Sequence, residues 1–343
     1  MKYNREEMRQ LTYDIMNKSV TILNLDTIEL HYWLKDGVHT MNAHVFNKCE
    51  YEFLGIINEL ASALKLDIDV DVEPLGEGGI RAWFRIGKKN ANAIKVGVLI
   101  ALLSQFVGTP ITTTLEYVTN KVLEAIFEDS EIKELEREKK KTELKLDIAN
   151  IKAETERQCA NIDENKLKKK RSNYYEAASK DKKIEKITIL STDAGKNVEY
   201  GRRDIMATEF DKFIMTSDDL EPQCDENATI EIISPVLKKG KYQWLGIYNG
   251  TVIQFKMKSN EFKNMVLTGQ VPFKNGSSII CLLLTNKKID NQGNEKVTGY
   301  EVLEVYNYFE NEALIETPEG KRRRQKEEAE KSQMSLFTEE DYK

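Results

Sequence analysis

With 343 residues, the chain is long enough for two or three separate hydrophobic cores. Its charged fraction of 31% is above the usual quarter, and its net charge of -6 favours solubility and argues against non-specific nucleic-acid binding by the chain as a whole. The four cysteines, Cys49, Cys159, Cys224 and Cys281, lie far apart without CxxC or metal-ligand spacing, which predicts reduced thiols and no disulfide framework.

The first residues, MKYNREEMRQLTYDIMN, hold no apolar run of the kind a secretory leader needs, so a cytoplasmic location is expected. Residues 4–18 fit a helix with Met8, Leu11, Ile15 and Met16 on one side. The period then changes to two. TIELHYWL (27–34) and VHTMNAHVF (38–46) flank Lys35-Asp36-Gly37, and an Asp-Gly pair between alternating runs signals a two-residue hairpin. In that register Ile28, Leu30, Tyr32 and Leu34 share one face with His39, Met41, Ala43 and Val45. Glu29, His31 and Trp33 share the other with Thr40, Asn42 and His44.

Residues 49–65 have helical spacing, and a second hairpin is expected from DIDVDVE (67–73) and IRAWFRI (80–86), with arginines facing aspartates. The predicted head, residues 1–89, is an α-ββ-α-ββ unit with a one-sided antiparallel sheet. Its open face carries Trp33, Trp83, Arg81 and Arg85. These residues are read either as a docking platform for a ligand or second copy, or as a surface that the rest of the chain covers. Glu29, His31 and His44 on the same face form the one candidate for metal binding or acid–base chemistry, against a solvated cross-strand pair.

Twenty uncharged residues follow Lys95, interrupted by Ser104, Gln105 and Gly108-Thr109-Pro110. Residues 90–127 therefore read as an apolar helical hairpin turning at 108–110, or as a membrane-active segment, residues 94–127. Residues 128–187 are free of proline and glycine and rich in Glu, Lys and Leu. They predict a long charged helix, a coiled linker suited to self-association. KLKKKR (166–171) is a local basic cluster able to touch phosphates or anionic lipid.

Residues 188–316 alternate as strands, with an Asn249-Gly250 hairpin that sets Trp244 opposite Phe255, and predict a small sandwich or barrel. The whole chain is thus expected to be α+β. No phosphate-binding loop, dinucleotide fingerprint, zinc-protease motif or nucleophile elbow occurs, and no histidine follows His44. No catalytic residue, resident metal or cofactor is assigned.

The tail, residues 317–343, is charged and expected to be exposed and mobile. It contains Gln333-Met334-Ser335-Leu336-Phe337. This run resembles the peptide by which bacterial proteins bind the replication sliding clamp, a Gln-Leu-Ser/Asp-Leu-Phe consensus, with Met334 in place of leucine. The resemblance covers five residues. It implies that Leu336 and Phe337 fill an apolar pocket and that Gln333 hydrogen-bonds its rim. The eukaryotic form of the motif does not fit, because Glu339 and Glu340 stand where paired aromatics belong.

Taken together, these readings give a non-enzymatic bacterial interaction protein that assembles through its head and long helix and is tethered to the clamp by its tail. The alternative is a membrane-active effector of anti-phage defence that inserts residues 94–127.

Overall fold

The computed structural model describes residues 25–36, 38–73, 80–88, 93–127, 143–196, 199–238, 240, 242–274, 276–310 and 313–336. The fold is α+β and divides into two compact units: Met1–Ser217 with Asn291–Gly293, and Asp218–Asp290 with Asn294–Lys343. The helix expected over residues 4–18 lies outside the described residues.

The sheet of the first unit is built around β1 (Thr27–Leu34), whose Ile28, Leu30 and Tyr32 are buried beneath helices. On one edge β1 runs antiparallel to β3 (Ile80–Lys88), with Glu29 opposite Trp83. On the other it pairs with β4 (Ile184–Thr192), with Leu30 opposite Ile189. Strands β2 (Ile68–Val72) and β5 (Glu199–Met206) complete the order β2-β3-β1-β4-β5. The hairpin expected across residues 67–86 is present, with Asp71 opposite Arg85.

The hairpin expected across residues 27–46 does not form. Both edges of β1 are already paired, so no edge remains for residues 38–46. Instead Asn42 caps α1 (Ala43–Ala63), its side chain accepting from the His44 and Val45 amides, while its own N–H donates to Asp181 at 2.7 Å.

The segment 90–127 is a helical hairpin of α2 (Ala93–Val107) and α3 (Leu115–Phe127). Helix α2 is apolar all round, and Val96, Leu99, Ile100, Leu103 and Phe106 are fully buried in the core of this unit. Its fifteen residues extend about 22 Å against a hydrocarbon layer of about 30 Å. Among the described residues no helix is long and apolar enough to cross a membrane.

The single long helix expected over 128–187 is instead two helices in its described part, α4 (Glu143–Ala160) and α5 (Glu164–Ser179). Asp163 breaks the run by capping α5 through the Lys166 amide. Leu167, Tyr174, Tyr175 and Ala178 of α5 enter the core, so the helix is structural and does not serve as a linker. The basic cluster at 166–171 is correspondingly occupied. Lys166 pairs with Glu59 and Lys168 with Glu164, Lys169 is buried, and Arg171 is fully buried.

Arg171 and Tyr175 close the C-terminal end of α2. The Arg171 guanidinium lies 4.2 Å from the Phe106 ring and donates to the Phe106 carbonyl at 2.8 Å. The Tyr175 hydroxyl donates to the Val107 carbonyl at 3.0 Å. A helix leaves its last carbonyls without intrahelical partners; the Phe106 carbonyl accepts also from the Thr109 hydroxyl at 3.1 Å, while Arg171 and Tyr175 add donors from α5. Burial pushes Arg171 down to about 10, with Tyr175 and Glu164 opposing, so it is still cationic at neutral pH and favourably placed at a helix C-terminus. Strand β5 packs against this same end of α2: Gly201, at φ +66°, approaches so closely that an added Cβ would lie 2.8 Å from the Ser104 hydroxyl.

The second unit contains β6 (Gln223–Ser234), β7 (Trp244–Tyr248), β8 (Thr251–Met257), α6 (Asn260–Leu267), β9 (Ser278–Ile289), β10 (Glu295–Glu310) and β11 (Ala313–Glu316). The Asn249-Gly250 turn forms with both residues at positive φ and sets Trp244 opposite Phe255. The strands pair in the ring β6-β7-β8-β10-β9-β6, with only β8–β10 parallel. This is a closed five-stranded barrel with one helix between its third and fourth strands, the connectivity of an OB-fold. Trp244, Phe255, Ile230, Leu283 and Val302 fill its interior.

The expected start of this domain at residue 188 is therefore corrected to 218. Strand β4 joins the first unit by pairing with the remaining edge of β1, and β5 by pairing with β4.

Loss of the side-chain caps on α2 is expected to destabilise the first unit. Urea denaturation followed by circular dichroism should show a loss of about 1–3 kcal/mol for Arg171→Met and about 1 kcal/mol for Tyr175→Phe. An unchanged midpoint for both variants would refute the capping role.

Candidate functional site

The residues expected to be a mobile tail begin with an anchored helix, α7 (Pro318–Leu336). Thr317 caps it: the Gly320 amide donates to the Thr317 hydroxyl at 3.0 Å, and the Thr317 amide donates to the Tyr306 carbonyl of β10 at 2.9 Å. Pro318 occupies the first helical position, where a missing N–H costs nothing. Glu319 follows, buried, with its carboxylate accepting from the Val305 amide at 2.7 Å and the Ser259 hydroxyl at 2.9 Å. Ser259 in turn accepts from the Phe262 amide as the cap of α6, so one hydroxyl joins both helices to the barrel. Burial raises the Glu319 carboxyl above its usual range, opposed by the Val305 and Ser259 hydrogen bonds.

Gly320 lets the helix lie directly on β10, since an added Cβ would come within 2.2 Å of the Tyr306 carbonyl oxygen. Arg323 stacks on the Tyr306 ring at 4.2 Å and donates to the Glu226 carbonyl. Beyond this point residues 324–331 are exposed and held by pairs one turn apart, including Arg324 with Glu328 and Lys326 with Glu330.

Thus α7 leaves the barrel as a polar helix about 24 Å long from Gly320 to its end. Gln333, Met334, Ser335 and Leu336 form its last turn, and Phe337 lies outside the described residues. The charged composition of residues 317–343 pointed to a mobile tail and not to this anchor. The signal was nevertheless present in Thr317-Pro318-Glu319, which is a cap, a first-turn proline and a first-turn acid.

In the first unit, Glu29, His31 and Trp33 of β1 and Arg81 and Trp83 of β3 lie on the face away from the helices. This face is a knit polar layer. The Trp83 indole N–H donates to Glu29 at 3.0 Å, and the Lys196 ammonium sits 3.7 Å from the Trp83 ring centre while pairing with Glu73. Trp33 donates to Thr188 at 2.8 Å, stacks on His31 at 3.9 Å between ring centres, and lies under Lys186. Arg85 reaches Glu73 at 3.8 Å. With Trp83 only 8% exposed, the two tryptophans are partnered within the unit and do not form an open platform.

Glu29 and His31 approach to 3.8 Å, but His44 is exposed in the first turn of α1. The trio proposed for metal or acid–base chemistry is therefore not brought together, because residues 38–46 leave the sheet. Among the described residues no group of three or more His, Cys, Asp or Glu is gathered as a metal ion requires.

No family model, no curated protein and no solved structure matches this chain.

The close seat of Gly320 has a measurable consequence. Gly320→Ala is expected to lower barrel stability by about 1–3 kcal/mol through overpacking and to accelerate amide exchange in the first turn of α7. Wild-type exchange in that turn would remove the anchor from the account.

Proposed function

We propose that this chain is a multi-domain interaction protein that binds a bacterial replication sliding clamp through Gln333–Phe337. The observation that carries this reading is the likeness of the QMSLF run to the clamp peptide, standing at the far end of a helix whose near end is fixed to the barrel. The buried Glu319 and Gly320 hold one end of α7, and residues 324–331 beyond Arg323 are exposed. The last turn of a helix has carbonyls with no intrahelical partner, so the run can fray to meet a pocket at small cost. Leu336 and Phe337 supply the apolar anchors and Gln333 the polar contact.

Membrane insertion of residues 94–127 finds less support. It would require α2 to leave the core, abandoning its buried apolar contacts and the caps from Arg171 and Tyr175. Assembly through the charged run is likewise limited, because α5 is committed to the core of its own unit.

Binding of the full chain to a purified bacterial sliding clamp, measured by calorimetry, tests the proposal. Micromolar or tighter affinity is expected, falling at least tenfold, about 1.4 kcal/mol, in the double variant Leu336→Ala, Phe337→Ala. No binding by the unaltered protein would overturn the reading.

A further inference from the structure

One cavity of the barrel differs from the rest of this acidic chain. It has a volume of about 580 Å³ and lies between the β6–β7 loop, the end of β8 and helix α6. Four lysines line it, Lys238, Lys256, Lys258 and Lys263, and no carboxylate does. Glu301 of β10 approaches Lys256 at 3.3 Å and Lys258 at 3.8 Å, and one carboxylate offsets one of those two charges. Among the described residues no carboxylate lies within ion-pair distance of Lys238 or Lys263. Like charges gathered around a concave surface repel one another and focus a positive potential, which an anionic ligand would relieve.

The loop adds an aromatic face to this charge. Tyr242 is 58% exposed and lies against Gly240, which has φ +152° and where an added Cβ would fall 2.6 Å from the ring. A solvent-facing ring beside a cluster of cations leaves apolar surface exposed and adds nothing to the core. The floor is Trp244 and Met257, both buried, and the amides of Asn260 and Asn264 on α6 complete the wall. The loop sequence Leu237-Lys238-Lys239-Gly240-Lys241-Tyr242 is itself basic around an aromatic.

We propose that this cavity binds a single strand of nucleic acid. Tyr242 stacks an unpaired base, the lysines take the flanking phosphates, and Asn260 and Asn264 supply hydrogen bonds to base or sugar. Lysines alone would suit any polyanion, and a duplex would satisfy them as well as a single strand would. The exposed ring selects the single strand, because only unstacked bases offer a π face. An OB-type barrel hosts unrelated ligands, so the choice rests on these side chains and not on the fold. The proposal does not depend on clamp binding.

Fluorescence anisotropy of the full chain tests it, with labelled oligothymidylate, oligouridylate and a duplex of equal length at low salt. Single strands are expected to bind more tightly than duplex, and preference for either sugar supports the site and fixes its substrate. Tyr242→Ala should weaken single-strand binding about tenfold while leaving the salt dependence unchanged. Lys238→Ala and Lys263→Ala should each weaken binding and lower the slope of log affinity against log salt by about 0.7. All three residues lie at the surface or cavity wall, so thermal melting checks that the variants stay folded. The double variant Leu336→Ala, Phe337→Ala should bind oligonucleotide like the unaltered chain, and a loss there would place the site elsewhere and overturn the proposal. Equal affinity for duplex and single strand with no effect of Tyr242→Ala, or no binding at low salt, would also overturn it.

Discussion

The first unit depends on a helix that ends where water cannot reach. Helix α2 is apolar on every side, so burial is its stable state, but a buried helix end leaves carbonyl groups that cost free energy unless a donor meets them. Arg171 and Tyr175, on successive turns of α5, meet the carbonyls of Phe106 and Val107. A buried guanidinium is itself expensive, and here its ring contact with Phe106 and its place at the negative end of a helix offset part of that cost. This arrangement fixes α5 against α2. It thereby brings the chain that follows α5 to the free edge of β1, where it becomes β4 and then β5. An apolar segment that resembles a membrane span in composition is thus the centre of a mixed fold.

A second local solution governs the barrel. One buried hydroxyl, Ser259, caps α6 and donates to one buried carboxylate, Glu319 of α7, which also accepts from the Val305 amide of β10. The helix so anchored is polar beyond its first turns and is sustained by pairs of opposite charge rather than by a core. The same barrel carries a cavity lined by four lysines beside the exposed ring of Tyr242.

Much of the local structure was legible in the residues. Strict alternation in 68–72 and 80–86 marked β2 and β3 as a hairpin, and Asn249-Gly250 marked the β7–β8 hairpin, because period and turn chemistry act over a few residues. Asp36-Gly37 carried a similar signal and misled. Asn42 as a helix cap, with its amide held by Asp181, and the pairing of both β1 edges outweighed a turn preference worth little alone. His44 therefore never joins Glu29 and His31. The two tryptophans of the sheet were correctly placed on one face, while the cations that cover them, Lys186 and Lys196, come from strands and turns far along the chain.

By itself the sequence determined which residues alternate, which segment must be buried, where two hairpin turns are encoded and which short run in the tail resembles a clamp peptide. These are properties of neighbours in the chain, set by backbone sterics and side-chain polarity. Tertiary structure alone decided that β4 and β5 complete the first sheet, that a charged run donates Arg171 and Tyr175 to a core, and that Gly320 seats a helix on β10 instead of ending it. Each of those outcomes turns on a contact between residues distant in sequence, where an unpaired strand edge or an unsatisfied carbonyl selects its partner by geometry that no local pattern records.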